Sequence, residues 1–342
     1  MEIVPQRPRL LSRRTVSLAA ALMLALVAAL VAAARYSSGG SLEPFVLAGD
    51  SVAVIDPGTD TIVGEIPVGD RPTGPAVGEG SVWVGNRDDN TLLRIDPKSL
   101  DVRTIGLGVE PIDVEVGAGS VWVLSDQALL GVDPAINDVV ATVPLPPAIG
   151  AGRWSRLEVG ANAVFVCSCG SPGGVVRVDP ATTSVVTVQR GPIWGTAYGE
   201  GALWAITGWE QNRIERIDPE TDAVESIPLG RLGETSGWRY RMAVAEGTTW
   251  LMAPASLWRV DSTTGRFLGS VPLPHSEGGS IATGDGAVWI ANSEGVVLRI
   301  DADSQAVAKT IPLGTLVYPA ENGDALAVGE GSVWVAVTSF AS

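Results

Sequence analysis

Short runs of alternating apolar and polar residues recur along the chain, separated by glycine, proline, aspartate and asparagine. In a representative copy, Ser81–Asn86 alternates and is rich in β-branched and aromatic residues, and residues 92–96 follow the same pattern. Alternation over a few residues predicts half-buried β-strands, and the intervening residues predict tight turns. Because every connection is short, the sequence predicts antiparallel strands that pair with their neighbours in the chain.

One aromatic residue and one aspartate mark each copy of a longer repeat. The aromatic residue stands between aliphatic neighbours in the second strand of a copy, and successive aromatic residues lie 39 to 46 positions apart. The aromatic residues are Trp83, Trp122, Phe165, Trp204, Trp250, Trp289 and Trp334, and the aspartates are Asp56, Asp96, Asp133, Asp179, Asp218, Asp261 and Asp301. A repeat of this length is typical of a four-stranded propeller blade, so seven copies predict an all-β, seven-bladed β-propeller.

The two ends of the repeat region each hold half a copy. Residues 52–56 and 61–66 match the third and fourth strands, whereas residues 325–329 and 332–337 match the first and second. Neither half can bury both of its faces alone, so we expect strands from both ends of the chain to complete one blade and close the ring.

An arginine stands two positions before the aspartate in five copies, and Val54 and Gly131 replace it in the other two. The arginines are Arg94, Arg177, Arg216, Arg259 and Arg299. Their regular placement predicts contacts between blades or with turns, and the strand aromatics are predicted to fill the core.

The first 35 residues have a different composition. Four arginines and one glutamate in residues 1–14 precede a wholly apolar run over 18–34. This run is longer than the apolar core of a typical signal peptide, so it predicts a transmembrane anchor with its amino terminus in the cytoplasm. Cleavage after Ala32-Ala33-Ala34 is the alternative, which predicts a secreted protein. The predicted organisation is residues 1–35 as basic segment and anchor, 36–49 as a flexible tether and 50–342 as one extracytoplasmic propeller.

The chain is acidic, with a formal net charge of -15 at pH 7, although its first segment is basic. An acidic surface repels phosphate backbones, so the sequence predicts no nucleic-acid partner. No cofactor is predicted, and binding of a divalent cation remains an alternative.

The units Trp83-Val84-Gly85-Asn86 and Trp289-Ile290-Ala291-Asn292, each followed by a strand ending in Ile-Asp, resemble bacterial YVTN-type propeller repeats. The chain is also similar to the wider group of NHL-like and streptogramin B lyase-like propellers. The resemblance implies a surface or secreted binding module, a sensor domain or, in a few members, an enzyme. The lyases, as the resemblance implies, combine histidine acid–base chemistry with a divalent metal. This chain has one histidine, His275, which argues against that activity.

Propeller geometry separates two faces. The variable face carries the connections between blades and the loops between second and third strands, whereas the turn face carries the Gly-x-Gly and Asp-Pro turns and is predicted to be uniform. Variable loops on a rigid scaffold commonly carry function. Aromatic and arginine side chains there predict a recognition surface. The candidate ligand-binding residues are Arg71, Trp154, Arg156, Trp194, Trp209, Trp238, Arg239, Tyr240, His275, Glu277, Tyr318 and Glu321, with Glu110, Arg241 and Asn322 on the same loops.

His275 and Glu277 are the candidate catalytic residues, as an acid–base pair or as two ligands of a metal. Asp88-Asp89-Asn90 lacks the spacing of a Ca²⁺ loop and predicts a hairpin turn. Cys167 and Cys169 are candidates for a disulfide in an exported protein, although alternate positions of an extended strand lie at the upper limit of the distance that a disulfide spans.

The sequence therefore predicts a membrane-tethered, extracytoplasmic propeller that binds a protein, peptide or small-molecule ligand on its variable face. A lyase or hydrolase using His275 and Glu277 is one alternative, and a structural component of an envelope complex is the other.

Overall fold

The computed structural model describes residues 47–147, 155–170, 173–207, 213–229, 240–253, 255–274, 279–314 and 325–338. These residues form seven four-stranded antiparallel sheets, the blades of a β-propeller. Blades 1 to 6 are consecutive in the chain, and blade 7 combines strands from both ends. The fold predicted from the repeats is confirmed.

The strands of blades 1 to 3 follow the predicted order. They are β3 Pro72–Gly78, β4 Ser81–Asn86, β5 Thr91–Ile95 and β6 Val102–Gly106 in blade 1; β7 Asp113–Gly117, β8 Ser120–Leu124, β9 Ala128–Asp133 and β10 Asp138–Pro144 in blade 2; and β11 Ser155–Val159, β12 Val164–Ser168, β13 Gly174–Val178 and β14 Val185–Arg190 in blade 3.

Blades 4 to 7 repeat this order. They contain β15 Ile193–Gly199, β16 Ala202–Thr207, β17 Arg213–Ile217 and β18 Val224–Pro228; β19 Met242–Ala245, β20 Thr248–Ala253, β21 Ser256–Asp261 and β22 Phe267–Pro272; β23 Gly279–Gly284, β24 Ala287–Asn292, β25 Val296–Asp301 and β26 Ala306–Pro312; and β27 Leu326–Gly329, β28 Ser332–Val337, β1 Ser51–Asp56 and β2 Thr61–Pro67.

Blade 7 closes the ring as the sequence predicts. Its strand order is β2-β1-β28-β27, and β1 pairs antiparallel with β28, so that Val54 lies opposite Trp334. Leu47, within the predicted tether, is buried in the core cluster formed by blades 6 and 7. Within the residues that the structure describes, no helix is long and apolar enough to cross a bilayer. The predicted anchor over 18–34 lies outside those residues.

The residue at the end of each inner strand, or directly after it in blade 3, sets the distance between neighbouring blades. The inner strand is the first strand of a blade, and it packs against the first strand of the next blade. A Cβ atom on Gly78 would lie 2.6 Å from Cγ1 of Val116, closer than two carbon atoms can approach without a shift. Glycine is therefore required where this approach occurs.

Six interfaces use this contact. The pairs are Gly78 with Val116, Gly117 with Val159, Gly160 with Tyr198, Gly199 with Val244, Gly284 with Val328 and Gly329 with Val77. Between blades 5 and 6 the corresponding residues are Ala245 and Thr283. The turn face is therefore not uniform, contrary to the prediction from sequence.

Strand tryptophans and the arginines beside them connect each blade to its surroundings. The indole Nε1 atoms of Trp83, Trp122, Trp204, Trp289 and Trp334 donate hydrogen bonds to the carbonyl oxygen of the glycine five positions earlier. The guanidinium of Arg94 lies 5.1 Å from the ring centroid of Trp83. These five tryptophans thus anchor the inner strands of their own blades, and three of them, Trp83, Trp204 and Trp289, also lie beneath an arginine.

Three of the arginines cross to the next blade, which confirms their predicted role. Arg94 donates to Oδ1 of Asn137 at 2.9 Å, and Arg177 forms a two-pronged ion pair with Asp222 at 2.5 and 2.8 Å. Arg299 approaches Asp60 at 3.3 Å. Asn137, Asp222 and Asp60 occupy one repeat position, four residues after the turn aspartate, and all have φ between 54° and 57°.

Candidate functional site

The described part of the variable face carries a network of four charged side chains at blades 7, 1 and 2. Arg71 lies in the β2–β3 connection, Arg87 and Asp88 in the β4–β5 loop, and Glu110 in the β6–β7 connection. The Nη1 atom of Arg71 lies 2.7 Å from Oδ1 of Asp88, and Nη2 of Arg87 lies 2.5 Å from Oε1 of Glu110. Arg71 also lies 4.0 Å from Glu110, which joins the two pairs.

The four side chains differ in exposure. Arg87 is 13% exposed, whereas Arg71, Asp88 and Glu110 are each about half exposed. Exposed ion pairs contribute little to folding stability. Stabilisation of the closed ring therefore does not explain why charged side chains from three connections lie together. The arrangement presents a guanidinium and two carboxylates to solvent in a fixed geometry, which suits recognition of a charged or hydrogen-bonding partner.

The buried Asn86 positions this network from below. Its Oδ1 atom accepts a hydrogen bond from the backbone N–H of Gly69 at 3.1 Å, and its Nδ2 atom donates to the hydroxyl of Thr91 at 3.2 Å. Asn86 is the last residue of β4, so the strand end holds the connection that leads to Arg71. The neighbouring Asp88-Asp89-Asn90 segment forms a turn, as predicted.

Two acidic side chains on inner strands have structural partners. Oδ2 of Asp113 accepts the backbone N–H of Leu157 at 2.8 Å, and Glu158 accepts the Thr196 hydroxyl and the Tyr198 N–H, each at 2.8 Å. Each carboxylate thus links one blade to the next. Their hydrogen-bonding capacity is used in closing the ring, so they do not have the open geometry of a catalytic base.

The two cysteines lie between blades 3 and 4. No disulfide joins Cys167 to Cys169; Cys167 is buried and Cys169 is half-buried. Burial raises the pKa of the Cys167 thiol well above its usual value, and the nearby carboxylate of Glu158 acts in the same direction. Cys167 is therefore a neutral thiol near pH 7 and a poor nucleophile. Oxidation of the pair stays a prediction.

The structure brings Trp194 and Tyr240 together at blades 4 and 5. The backbone N–H of Tyr240 donates to the carbonyl oxygen of Trp194 at 2.9 Å. Tyr240 is 6% exposed within the core cluster of these blades, and Trp194 is half-buried against the same cluster. Both side chains fill an interface between blades. Arg156 lies on β11 opposite Cys167 and is half-buried.

The other candidate residues lie outside the described residues, so their role stays a prediction. They are Trp154, Trp209, Trp238, Arg239, His275, Glu277, Tyr318, Glu321 and Asn322. Arg241 is described and half-buried, and its carbonyl oxygen accepts the backbone N–H of Met252 at 2.8 Å. Within the described ranges, no group of three or more histidine, cysteine, aspartate or glutamate side chains is arranged to hold a metal ion.

The sequence identified Arg71 and Glu110 but not their partners Arg87 and Asp88. A signal was present, because the second-to-third-strand loop of blade 1 carries three charges, whereas the corresponding loop of blade 2 carries one. Which of these charges meet is a matter of ring geometry, since Arg71 and Glu110 lie 39 positions apart on connections of different blades.

Comparison with known proteins supports the fold. No family model and no curated protein matches the chain. Among solved structures, it is similar to hydrazine synthase from Kuenenia stuttgartiensis, with a TM-score of 0.57 and 16% identity over 75% of this chain and 95% of that one. It is also similar to BamB from Moraxella catarrhalis, with a TM-score of 0.53 and 14% identity over 85% of this chain and 95% of that one. At these identities the likeness establishes the propeller fold alone, and the resemblance to YVTN-type repeats stays a prediction from the motifs.

Proposed function

We propose that the chain is an extracytoplasmic, membrane-tethered propeller that binds a protein, peptide or small-molecule partner on its variable face. The observation that carries this proposal is the network of Arg71, Arg87, Asp88 and Glu110. Three separate connections supply its charges, and three of the four side chains remain about half exposed. Arginine is enriched among the interface residues that dominate binding energy. Charged residues at the rim of an interface steer association and fix the orientation of the partner.

The membrane tether rests on the sequence. The basic residues before the apolar run over 18–34 favour an anchor that leaves the propeller outside the cytoplasm. Fractionation tests it: the full chain should stay with membranes after an alkaline wash, and external protease should reach the propeller in spheroplasts. Release of the chain into the medium would instead support cleavage of the segment.

The binding function is tested by photo-crosslinking in cells that produce the full chain. A photoreactive residue in place of Asp89, an exposed neighbour of the network, should give a discrete crosslinked species, whereas one in place of Lys98 on the turn face should not. Adding Arg71→Ala and Glu110→Ala should reduce the crosslinked fraction at least about ten-fold, because two charge-assisted contacts are lost. Equal crosslinking from positions 89 and 98 would place recognition elsewhere.

A further inference from the structure

A cavity of about 490 Å³ opens on the turn face between blades 5 and 6. Ala245 and Thr283 line it, and they occupy the positions that elsewhere hold the glycine and the aliphatic or tyrosine side chain in close contact. Ala245 has the Cβ atom that the other six interfaces exclude, so these two inner strands cannot approach in the same way. The cavity therefore follows from two specific departures from the repeat.

Arg259 lines this cavity and, within the described residues, makes no hydrogen bond to the next blade like those of Arg94, Arg177 and Arg299. Its guanidinium carbon lies 5.2 Å from the ring centroid of Trp250, an arrangement also found in blades 1, 4 and 6. Its Nε atom is buried and makes no hydrogen bond within the described part of the chain. An arginine at this repeat position donates to Asn137 from blade 1, to Asp222 from blade 3 and to Asp60 from blade 6.

Gln305 occupies the repeat position of those three acceptors. Its φ of 55° is close to those of Asp60 and Asp222, 54° and 57°, so its backbone has the same turn conformation. Its side-chain oxygen lies beside Gly269 on the outer strand of blade 5, 3.4 Å from where a Cβ atom would stand. The cavity thus contains a guanidinium on an aromatic ring, at an interface where Gln305 stands in place of the internal carboxylate that Asp60 and Asp222 supply elsewhere.

A buried guanidinium atom without a hydrogen bond has lost hydration without compensation. A carboxylate is the best partner for the guanidinium as a whole, because two parallel hydrogen bonds match the fork of the side chain. Glu246, Asp285 and Asp303 also line the cavity, and their charges repel a simple anion. A ligand that satisfies both conditions has a cationic group beside its carboxylate.

We propose that this cavity binds a short peptide segment in which an acidic side chain adjoins a basic one. The carboxylate pairs with Arg259, and the neighbouring ammonium or guanidinium faces Glu246, Asp285 and Asp303. The volume lies within the range of small-ligand sites and accommodates a few residues. This site is independent of the variable face and does not rest on the function proposed for it.

Two blocked tetrapeptides that differ in one group provide the first test. Calorimetric titration of the purified full chain with acetyl-Gly-Glu-Lys-Gly-amide should give an affinity at least about ten-fold above that for acetyl-Gly-Gln-Lys-Gly-amide, the equivalent of one charge-assisted hydrogen bond. Equal affinities, or no binding of either peptide at millimolar concentration, would overturn the proposal. Free lysine, a zwitterion outside a peptide, should bind more weakly than the Glu peptide; tighter binding would overturn the assignment to a peptide.

Variants then assign the effect to the cavity. Arg259→Gln should abolish the preference for the Glu peptide, whereas Arg216→Gln, which changes the matched arginine over Trp204, should leave it intact. Gln305→Asp provides the internal acid that blades 4 and 7 have. It should therefore raise the melting temperature and lower the affinity for the Glu peptide at least about ten-fold. Full retention of the preference in both Arg259→Gln and Gln305→Asp would overturn the site.

Discussion

Adding one methyl group at Gly117 tests whether close approach of the inner strands holds the ring together. A Cβ atom there would lie 2.5 Å from Cγ1 of Val159 and 3.3 Å from its Cβ. Carbon atoms in contact prefer about 3.5–4.0 Å, so one inner strand must move by roughly 1 Å. Both strands are paired to their own blades, and the ring allows no outward shift that spares the other interfaces.

The expected cost follows from two opposing effects. Overpacking a well-packed site costs about 1–3 kcal/mol. Replacing glycine by alanine also restricts the unfolded chain, which stabilises by roughly 0.4–1 kcal/mol. Gly117→Ala should therefore destabilise by up to about 2.6 kcal/mol, the difference between these two effects. For a domain of this size we expect the melting temperature to fall by up to about 10 °C.

Denaturant unfolding of Gly117→Ala, Val159→Ala and the double variant isolates the contact. Val159→Ala removes the methyl groups that the new Cβ atom meets, so Gly117→Ala should cost at least about 0.5 kcal/mol less in that background. Gly106→Ala is the control, because a Cβ atom there has no neighbour within 4 Å. If Gly117→Ala costs the same with and without Val159, steric exclusion at this interface is not what the glycine provides.

Three further predictions follow from the blades. Backbone N–H bonds hold the pKa of Asp96, Asp179, Asp218 and Asp301 below its usual value, and the Thr264 hydroxyl does so for Asp261. The unfolded chain then binds more protons than the folded one. The stabilisation from these carboxylates is therefore complete above the unfolded pKa of about 4 and is lost as the pH falls below it. A melting temperature that increases when the pH is lowered from 5 to 3 would contradict this. Deleting residues 325–342 removes β27 and β28 and exposes the edge of β1, so cooperative unfolding should disappear from calorimetric scans; an unchanged transition would refute closure by both ends. A thiol reagent at pH 8 should modify Cys169 while Cys167 reacts only after unfolding, as mass spectrometry of the labelled peptides would show; rapid modification of Cys167 in the native protein would exclude a buried, neutral thiol.

The spacing of one aromatic residue and one aspartate determines the number of blades and the strand order within each. The consecutive apolar residues Val82, Trp83 and Val84 predict a strand buried on both faces, and the half copies at the two ends predict closure through β1 and β28. These inferences depend on local periodicity and on the need to bury both faces of every sheet, which a sequence records directly.

The candidate site was only partly predictable. Loop position identified Arg71 and Glu110 as residues of the variable face, but it could not show that Arg87 and Asp88 complete their network. It also assigned Trp194 and Tyr240 to an exposed surface, whereas both pack between blades. Whether a loop side chain points to solvent or to the adjacent blade depends on the path of the next connection, which alternation does not encode.

Contacts between blades were decided by the tertiary structure alone. The sequence shows Ala245 where other copies have glycine and Gln305 where two have aspartate, but a single repeat gives no reason to connect these positions. Both positions border the interface between blades 5 and 6, because closing the ring places the arginine of one blade beside the turn of the next, about 40 residues further along the chain. Local pattern thus determines the blades, whereas the geometry of the closed ring determines which substitutions leave a cavity and an arginine atom without a partner.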